Sequence, residues 1–306
     1  MKEKLIQNNT LIIFLLMLVV SSLISDSFLT GNNLSNLLRQ VAPIGLISIG
    51  MFLVILTGGI DLSVGSILAF TGVAFALLSY EVYFAAGVVL TLLLGIAIGS
   101  ASGYLVSYRK VAPFIATLAL MTIVRGAGFL LSKGAPIPVG SHSSAILSLG
   151  TGSLWGVPTS AWVLLSVFVL VYVLLRYHIF GRQIIAVGSN EEAVRLSGIS
   201  VERTKFSVYA ISGFLTALAG LMMVGRTGVG TPNIGIGLEL DAIAAVVIGG
   251  ASLSGGKGTV VNTLLGVLIL GMIGNIMNLM DVTAYMQQLI KGLIIILAVV
   301  FQKQVR

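Results

Sequence analysis

Charge-poor apolar runs of about 20 residues recur along the whole chain, separated by short segments that carry glycine, proline or charge. A helix needs roughly that length to cross the hydrocarbon core of a bilayer, where its backbone amides have no partner but one another. The runs fall at 5–25, 40–60, 62–80, 82–108, a stretch ending near Ser132 and broken by Arg125, 158–175, 206–225, 238–256, 258–280 and 283–301. They predict an all-α, polytopic membrane protein with about ten transmembrane helices in a single transmembrane domain over residues 1–306. The first run follows a short basic start and has no clear small-x-small cleavage site after it, so it is expected to stay as an anchor.

Composition agrees with a lipid solvent. The 306 residues are 57% hydrophobic and 9% charged, where a soluble domain carries about 25% charged residues. The net charge of +7 is not gathered into a basic patch with interleaved aromatics, so nucleic acid is not expected as a partner, and the excess is assigned to membrane topology. With both termini inside, most cations fall in the cytoplasm: Lys2, Lys4, Arg109, Lys110, Arg176, Arg182, Arg195, Arg203, Lys205, Lys257, Lys303 and Arg306. Arg39, Lys133 and Arg226 fall outside, and Arg125 and Lys291 lie within spans. Residues 176–205 therefore form a cytoplasmic loop, and 133–157 an external one. Cysteine is absent, which excludes disulfides, thiolate metal sites and a thiol nucleophile. His142 and His178 stand alone, and no metal site is expected.

Two glycine-rich octets resemble each other. Residues 58–65 read GGIDLSVG and residues 249–256 read GGASLSGG. Each closes an apolar run, so Gly58, Gly59, Gly65, Gly249, Gly250 and Gly256 are candidate hinges in two related halves, or else simple turns between hairpinned spans. The second octet runs into Lys257 and invites a P-loop reading. That pattern needs Gly six residues before the Lys and Ser or Thr after it, where this chain has Ala251 and Gly258. No ATP site is encoded, and any ATP must be used by a partner. Gly95, Gly99 and Gly103 lie on one helix face and predict close helix packing.

Within the cytoplasmic loop, Ser189 and Glu192 form a capping-box pattern, Glu191 and Glu192 suit a helix N-terminus, and Gly198 suits its end. A helix of about eight residues, roughly 12 Å, is too short to stand alone and too polar to insert, so it is expected to pack against something cytoplasmic. Here the chain resembles the permeases of the ribose and related monosaccharide importers of the ATP-binding-cassette class. The motifs carrying the resemblance are ILTGGIDLSVG at 55–65, APFIATL at 112–118, GSNEEAVRLSG at 188–198 and ELDAIAAVVIGG at 239–250. The resemblance covers nearly the whole chain. It implies a pair of permease subunits, expected to be a homodimer, in a bacterial inner membrane. Two cytoplasmic ATPases would carry ATP and magnesium, and a periplasmic sugar-binding protein would deliver substrate. Ser189, Asn190, Glu191, Glu192, Arg195 and Gly198 would then form the coupling helix. The chain departs from the ribose permeases at Gly274, Asp281 and Thr231, where those tend to have Asn, Gly and Gln. Ribose is the leading sugar.

Charges within spans cost several kcal/mol unless paired or hydrated, so Arg125 and Lys291 need partners, with Asp61, Glu239 and Asp241 the candidates. Asn275, Asn278, Gln287 and Gln288 could offer amides to sugar hydroxyls. With Asp61, Ser63 and Lys291, the first three are the expected lining of a weakly binding passage. The rival readings are an ion-coupled sugar or nucleoside transporter, which needs a titrating carboxylate such as Asp61 or Asp241, and an intramembrane enzyme. For the latter no Ser/His/Asp set, HExxH helix or aspartate pair can be assembled.

Overall fold

The computed structural model describes residues 2–140, 143 and 145–304, with 2–8, 295 and 298–304 given by their backbone alone. Its helices are α1 (Lys2–Ile24), α2 (Gly31–Leu56), α3 (Val64–Glu81), α4 (Phe84–Ser107), α5 (Pro113–Ser132), α6 (Ala145–Thr151), α7 (Thr159–Tyr177), α8 (Ile179–Ser189), α9 (Glu191–Leu196), α10 (Val201–Thr227), α11 (Leu238–Ile248), α12 (Val260–Leu279) and α13 (Ala284–Gln304). Four two-residue strands add two small antiparallel pairs. β1 (Ile137–Pro138) pairs with β4 (Val229–Gly230), and β2 (Ser153–Leu154) pairs with β3 (Val157–Pro158).

Among the described residues seven helices, α2, α3, α4, α5, α7, α10 and α12, are long and apolar enough to cross a membrane. The expected run at 238–256 is not one helix. It yields α11, whose 11 residues span only about 16 Å of a hydrocarbon core about 30 Å thick. The rest is irregular because Gly250, Gly255 and Gly256 take φ of 80°, 89° and 71°, left-handed values that a helix cannot absorb. The run at 40–60 is displaced for similar local reasons. Thr30 caps α2 by accepting from the Asn33 amide at 3.4 Å, and the left-handed Gly58, φ 77°, stops it soon after Leu56.

Depth in the fold separates two classes of helix. α2, α3 and α10 are buried on most sides, whereas α4, α5 and α7 leave most of their apolar surface uncovered, as helices facing lipid do. α10 is the axis of the inner set. Gly95, Gly99 and Gly103 of α4 lie against it, so that a Cβ on Gly99 would strike the Tyr209 carbonyl and lie 2.9 Å from the Gly213 Cα. The expected packing face is real, and its partner is another glycine. Gly99→Leu is expected to drive the helices apart at a cost of at least about 1–3 kcal/mol. The check is the yield of monodisperse protein in detergent, which should fall well below that of Leu93→Ala on the exposed side of α4.

α10 also fixes the two ends. Near its start, Lys110 Nζ pairs with Glu202 Oε1 at 2.8 Å. Near its finish, Gly225 and Arg226 pack on α6, and Arg39 Nη2 donates to the Thr151 carbonyl at 2.9 Å. The helix is 27 residues long, about 40 Å, so the 176–205 loop and the 133–157 loop lie at opposite ends of the molecule.

Candidate functional site

The short polar helix exists, with its cap one residue later than the sequence suggests. Asn190, at φ −159° and ψ 95°, accepts from the Ala193 amide at 3.0 Å. Ser189 instead ends α8, its Oγ donating to the Ile185 carbonyl at 2.8 Å. The capping box assigned to Ser189 and Glu192 is therefore corrected, because Glu192 turns forward to Arg195 at 3.1 Å. α9 holds six residues rather than about eight. Its end is as expected. Gly198 takes φ 77°, its amide donates to the Arg195 carbonyl at 3.0 Å, and Ile199 N–H reaches back to Val194 at 3.3 Å. These two bonds form a Schellman motif, backed by a small apolar cluster of Val187, Val194 and Val201.

The charges of α9 are tied together. Arg195 bridges Glu191 at 3.0 Å and Glu192 at 3.1 Å, Lys205 of α10 holds the other Glu191 oxygen, and Glu202 joins Lys110 to the set. The Lys205 hydrogen bond holds the Glu191 carboxyl below its usual range. The contribution of this pair is therefore present at neutral pH and is lost only as pH falls through that lowered folded value. Exposed pairs of this kind stabilise little individually, but as a network they fix the orientation of α9 on α10.

A residue that sequence reasoning did not single out connects this helix to the interior. Gly188, in the last turn of α8, sits so close to the end of α2 and to the second glycine octet that a Cβ there would strike the Leu56 carbonyl and lie 2.6 Å from the Gly256 amide. Those two backbone groups are themselves bonded, Gly256 N–H to Leu56 O at 2.9 Å. A Cβ on Gly255 would lie 2.9 Å from both the Gly188 carbonyl and the Gly58 amide. The two octets thus meet, and α8 closes on their junction. They do not share a conformation: Gly58 is left-handed and Gly59 is not, whereas Gly250 is left-handed and Gly249 is not.

The first octet surrounds a fully buried carboxylate. Asp61 Oδ1 accepts from the Ser63 amide at 3.0 Å and from Ser63 Oγ at 2.5 Å, and Oδ2 accepts from Ser212 Oγ of α10 at 3.2 Å. Tyr209 Oη donates to the Ile60 carbonyl at 3.4 Å, and Gly59 leaves room for that phenol. Asp61 therefore ties the α2–α3 loop to α10, using hydroxyls and a backbone amide and no cation. Ser212 and Tyr209 carry no sequence signal beyond being polar in an apolar helix.

The other expected passage residues form a separate group on α11, α12 and α13. Lys291 Nζ meets Asp241 Oδ2 at 2.8 Å, which settles its partner among the candidates. Gln287 Nε2 donates to Asn278 Oδ1 at 2.8 Å. Asn275 is buried and exchanges amide hydrogen bonds with Asn33 of α2 at 2.8 and 2.9 Å, so it pins α12 to α2. No hydrogen bond or ion pair joins this group to Asp61. Arg125 takes no acid partner, donating to the Pro232 and Ile234 carbonyls at 2.7 Å each. Among the described residues no three His, Cys, Asp or Glu side chains come together as a metal site would require. His178 caps α8, its Nδ1 accepting from the Phe180 amide, and His142 lies outside the described residues.

Comparison with known proteins follows the same lines. Residues 33–299 match the family model described as branched-chain amino acid transport system / permease component. The chain is 43% identical over 298 residues to the ribose import permease protein RbsC of Haemophilus influenzae, covering 96% of this chain and 92% of that one. It is 43% identical over 296 residues to RbsC of Bacillus subtilis, covering 95% and 91%. It is 38% identical over 298 residues to the L-arabinose ABC transporter permease protein AraH of Azospirillum brasilense, covering 97% and 87%. No solved structure matches the chain.

Proposed function

Because the chain belongs to the branched-chain amino acid transport system / permease component family, we propose that it is the membrane-spanning subunit of an ATP-driven importer for a monosaccharide, with ribose the leading substrate. Likeness to ribose and arabinose permeases over almost the whole chain supports a sugar as cargo. In this reading ten membrane segments, including the half-length α11, form one domain of two related halves. Two copies pair around a passage in a bacterial inner membrane, both termini face the cytoplasm, and a periplasmic binding protein feeds the outer mouth. ATP and magnesium belong to a cytoplasmic ATPase.

The observation that carries the proposal is the linkage from α9 through Gly188 to both glycine octets. α9 is too short and too polar to have a role within the bilayer. Its apolar anchor and its ion pairs fix it on α8 and α10, leaving Glu192 and Arg195 exposed to a partner. A push on α9 by a closing ATPase would therefore reach Leu56, Gly58 and Gly256 through main-chain contacts, and rigid-body rocking about those loops would open one side and shut the other. Asn278, Gln287 and Lys291 would meet the sugar weakly on its way. Asp61 and Ser63 would hold the hinge.

The test is reconstitution with the ATPase and binding protein in liposomes. Uptake is expected to need ATP and to fall at least ~10-fold in Glu192→Arg, which inverts the exposed charge a partner meets and leaves the Arg195–Glu191 bridge in place. Unchanged uptake would remove α9 from the coupling path. The rival, an ion-coupled carrier, is tested by an uncoupler with ATP maintained: continued uptake excludes it, and abolished uptake favours it.

A further inference from the structure

Between β4 and α11 the chain runs through Thr231, Pro232, Asn233, Ile234, Gly235, Ile236 and Gly237 without regular structure. Two ionic side chains hold this strap at its ends. Arg125 of α5 donates from one nitrogen to the Pro232 and Ile234 carbonyls, both at 2.7 Å. Glu239 accepts from the Gly237 amide with Oε1 at 3.2 Å. Its other oxygen, Oε2, is buried and has no hydrogen-bond partner among the described residues. That oxygen lies against Gly65, where any Cβ would collide with it and with the Gly235 carbonyl. Arg125 holds the Ile234 carbonyl, and the next carbonyl along, that of Gly235, lies with Oε2 against Gly65, yet no bond joins Arg125 to Glu239.

We propose that Arg125 is a two-position clamp, holding the strap in the state described here and passing to Glu239 Oε2 when the strap lifts from α5. A guanidinium at this depth must keep partners at all times, and a buried carboxylate oxygen without a donor is costly. The present arrangement satisfies the strap carbonyls and leaves Oε2 unmet. The alternative satisfies Oε2 with a charge-assisted bond and releases the carbonyls to water. Each state leaves one demand open, which is the condition for two discrete arrangements of similar free energy. The strap can move because Gly235 and Gly237, at φ 79° and 85°, bracket its final turn. Under the orientation proposed above it lies toward the outer mouth, so its release would change access from outside. That last step rests on the importer reading, whereas the clamp does not.

A Cβ on Gly128 of α5 would lie 3.8 Å from Pro232 Cβ, the separation a disulfide needs, and the chain has no cysteine of its own. Gly128→Cys/Pro232→Cys is therefore expected to crosslink under mild oxidation in the purified full chain. Glu239→Gln keeps the Gly237 bond and removes the alternative partner of Arg125, so crosslinking should speed up about threefold. Arg125→Met frees the strap, and crosslinking should slow by a similar factor. Equal rates in all three backgrounds would overturn the clamp, and no ATPase or sugar enters that measurement. In the reconstituted importer the disulfide should cut uptake at least ~10-fold, reversibly on reduction. Full uptake by the crosslinked protein would overturn the strap as a moving part. Failure of the uncrosslinked protein to take up sugar with ATP would instead count against the importer reading and leave the crosslinking result standing.

Discussion

Gly188→Ala is expected to abolish ATP-driven uptake while leaving the ATPase able to bind. The added methyl would fall on the Leu56 carbonyl and within 2.6 Å of the Gly256 amide, and neither is the flexible end of a side chain. These are main-chain groups bonded to each other at 2.9 Å, so room can come only by parting α8 from the junction or by breaking the bond between α2 and the second octet. Overpacking of this kind costs about 1–3 kcal/mol, and here the displacement falls on the joint through which α9 would act. The matched control is Gly31→Ala at the start of α2, where nothing lies within 4 Å of the added Cβ, so uptake should stay near that of the parent. Co-purification of the ATPase, measured beside uptake in liposomes, separates loss of coupling from loss of assembly. Wild-type uptake in Gly188→Ala would show that the junction does not transmit.

Asp61→Ala is expected to destabilise the fold more than any single change on the membrane-facing surface. The carboxylate is the acceptor for the Ser63 amide, Ser63 Oγ and Ser212 Oγ, all at a fully buried site. Hydrogen bonds of this kind contribute about 0.5–1.5 kcal/mol each, and a buried donor left unmet costs about 1–3 kcal/mol. The hydroxyls can rotate toward helix carbonyls, but the Ser63 amide cannot. A net loss of about 3 kcal/mol or more follows, seen as a drop in apparent melting temperature in detergent. Asp61→Asn keeps one acceptor for the amide and should lose roughly half as much. Equal melting of Asp61→Ala and the parent would mean that the α2–α3 loop is held by packing alone.

The helix content, the lipid solvent and the short polar helix were legible in the sequence because each is written locally. An apolar run needs no distant partner to call for lipid, and the Gly198 stop depends only on its own φ and its nearest carbonyls. The cap moved from Ser189 to Asn190 because both side chains are competent, and the backbone's change of direction between α8 and α9 chose between them. The run at 238–256 is not one continuous helix because hydropathy sums composition, while three left-handed glycines decide where a helix stops. The charged pairs were legible only as a list of possible partners. Lys291 chose Asp241, and Arg125 chose carbonyls over every acid available.

The sequence by itself determined that this chain crosses a membrane many times, and where its glycine loops and its short polar helix stand along the chain. Only the tertiary structure decided that Gly188, Leu56 and Gly256 meet, that Asn33 pairs with Asn275 across 242 residues, and that Asp61 is bound by Ser212 of α10. The reason is physical. Solvent preference and helix ends follow from side chains and dihedral angles within a few residues, whereas close backbone approach depends on two distant surfaces being smooth at the same point, and a glycine in sequence does not reveal its partner.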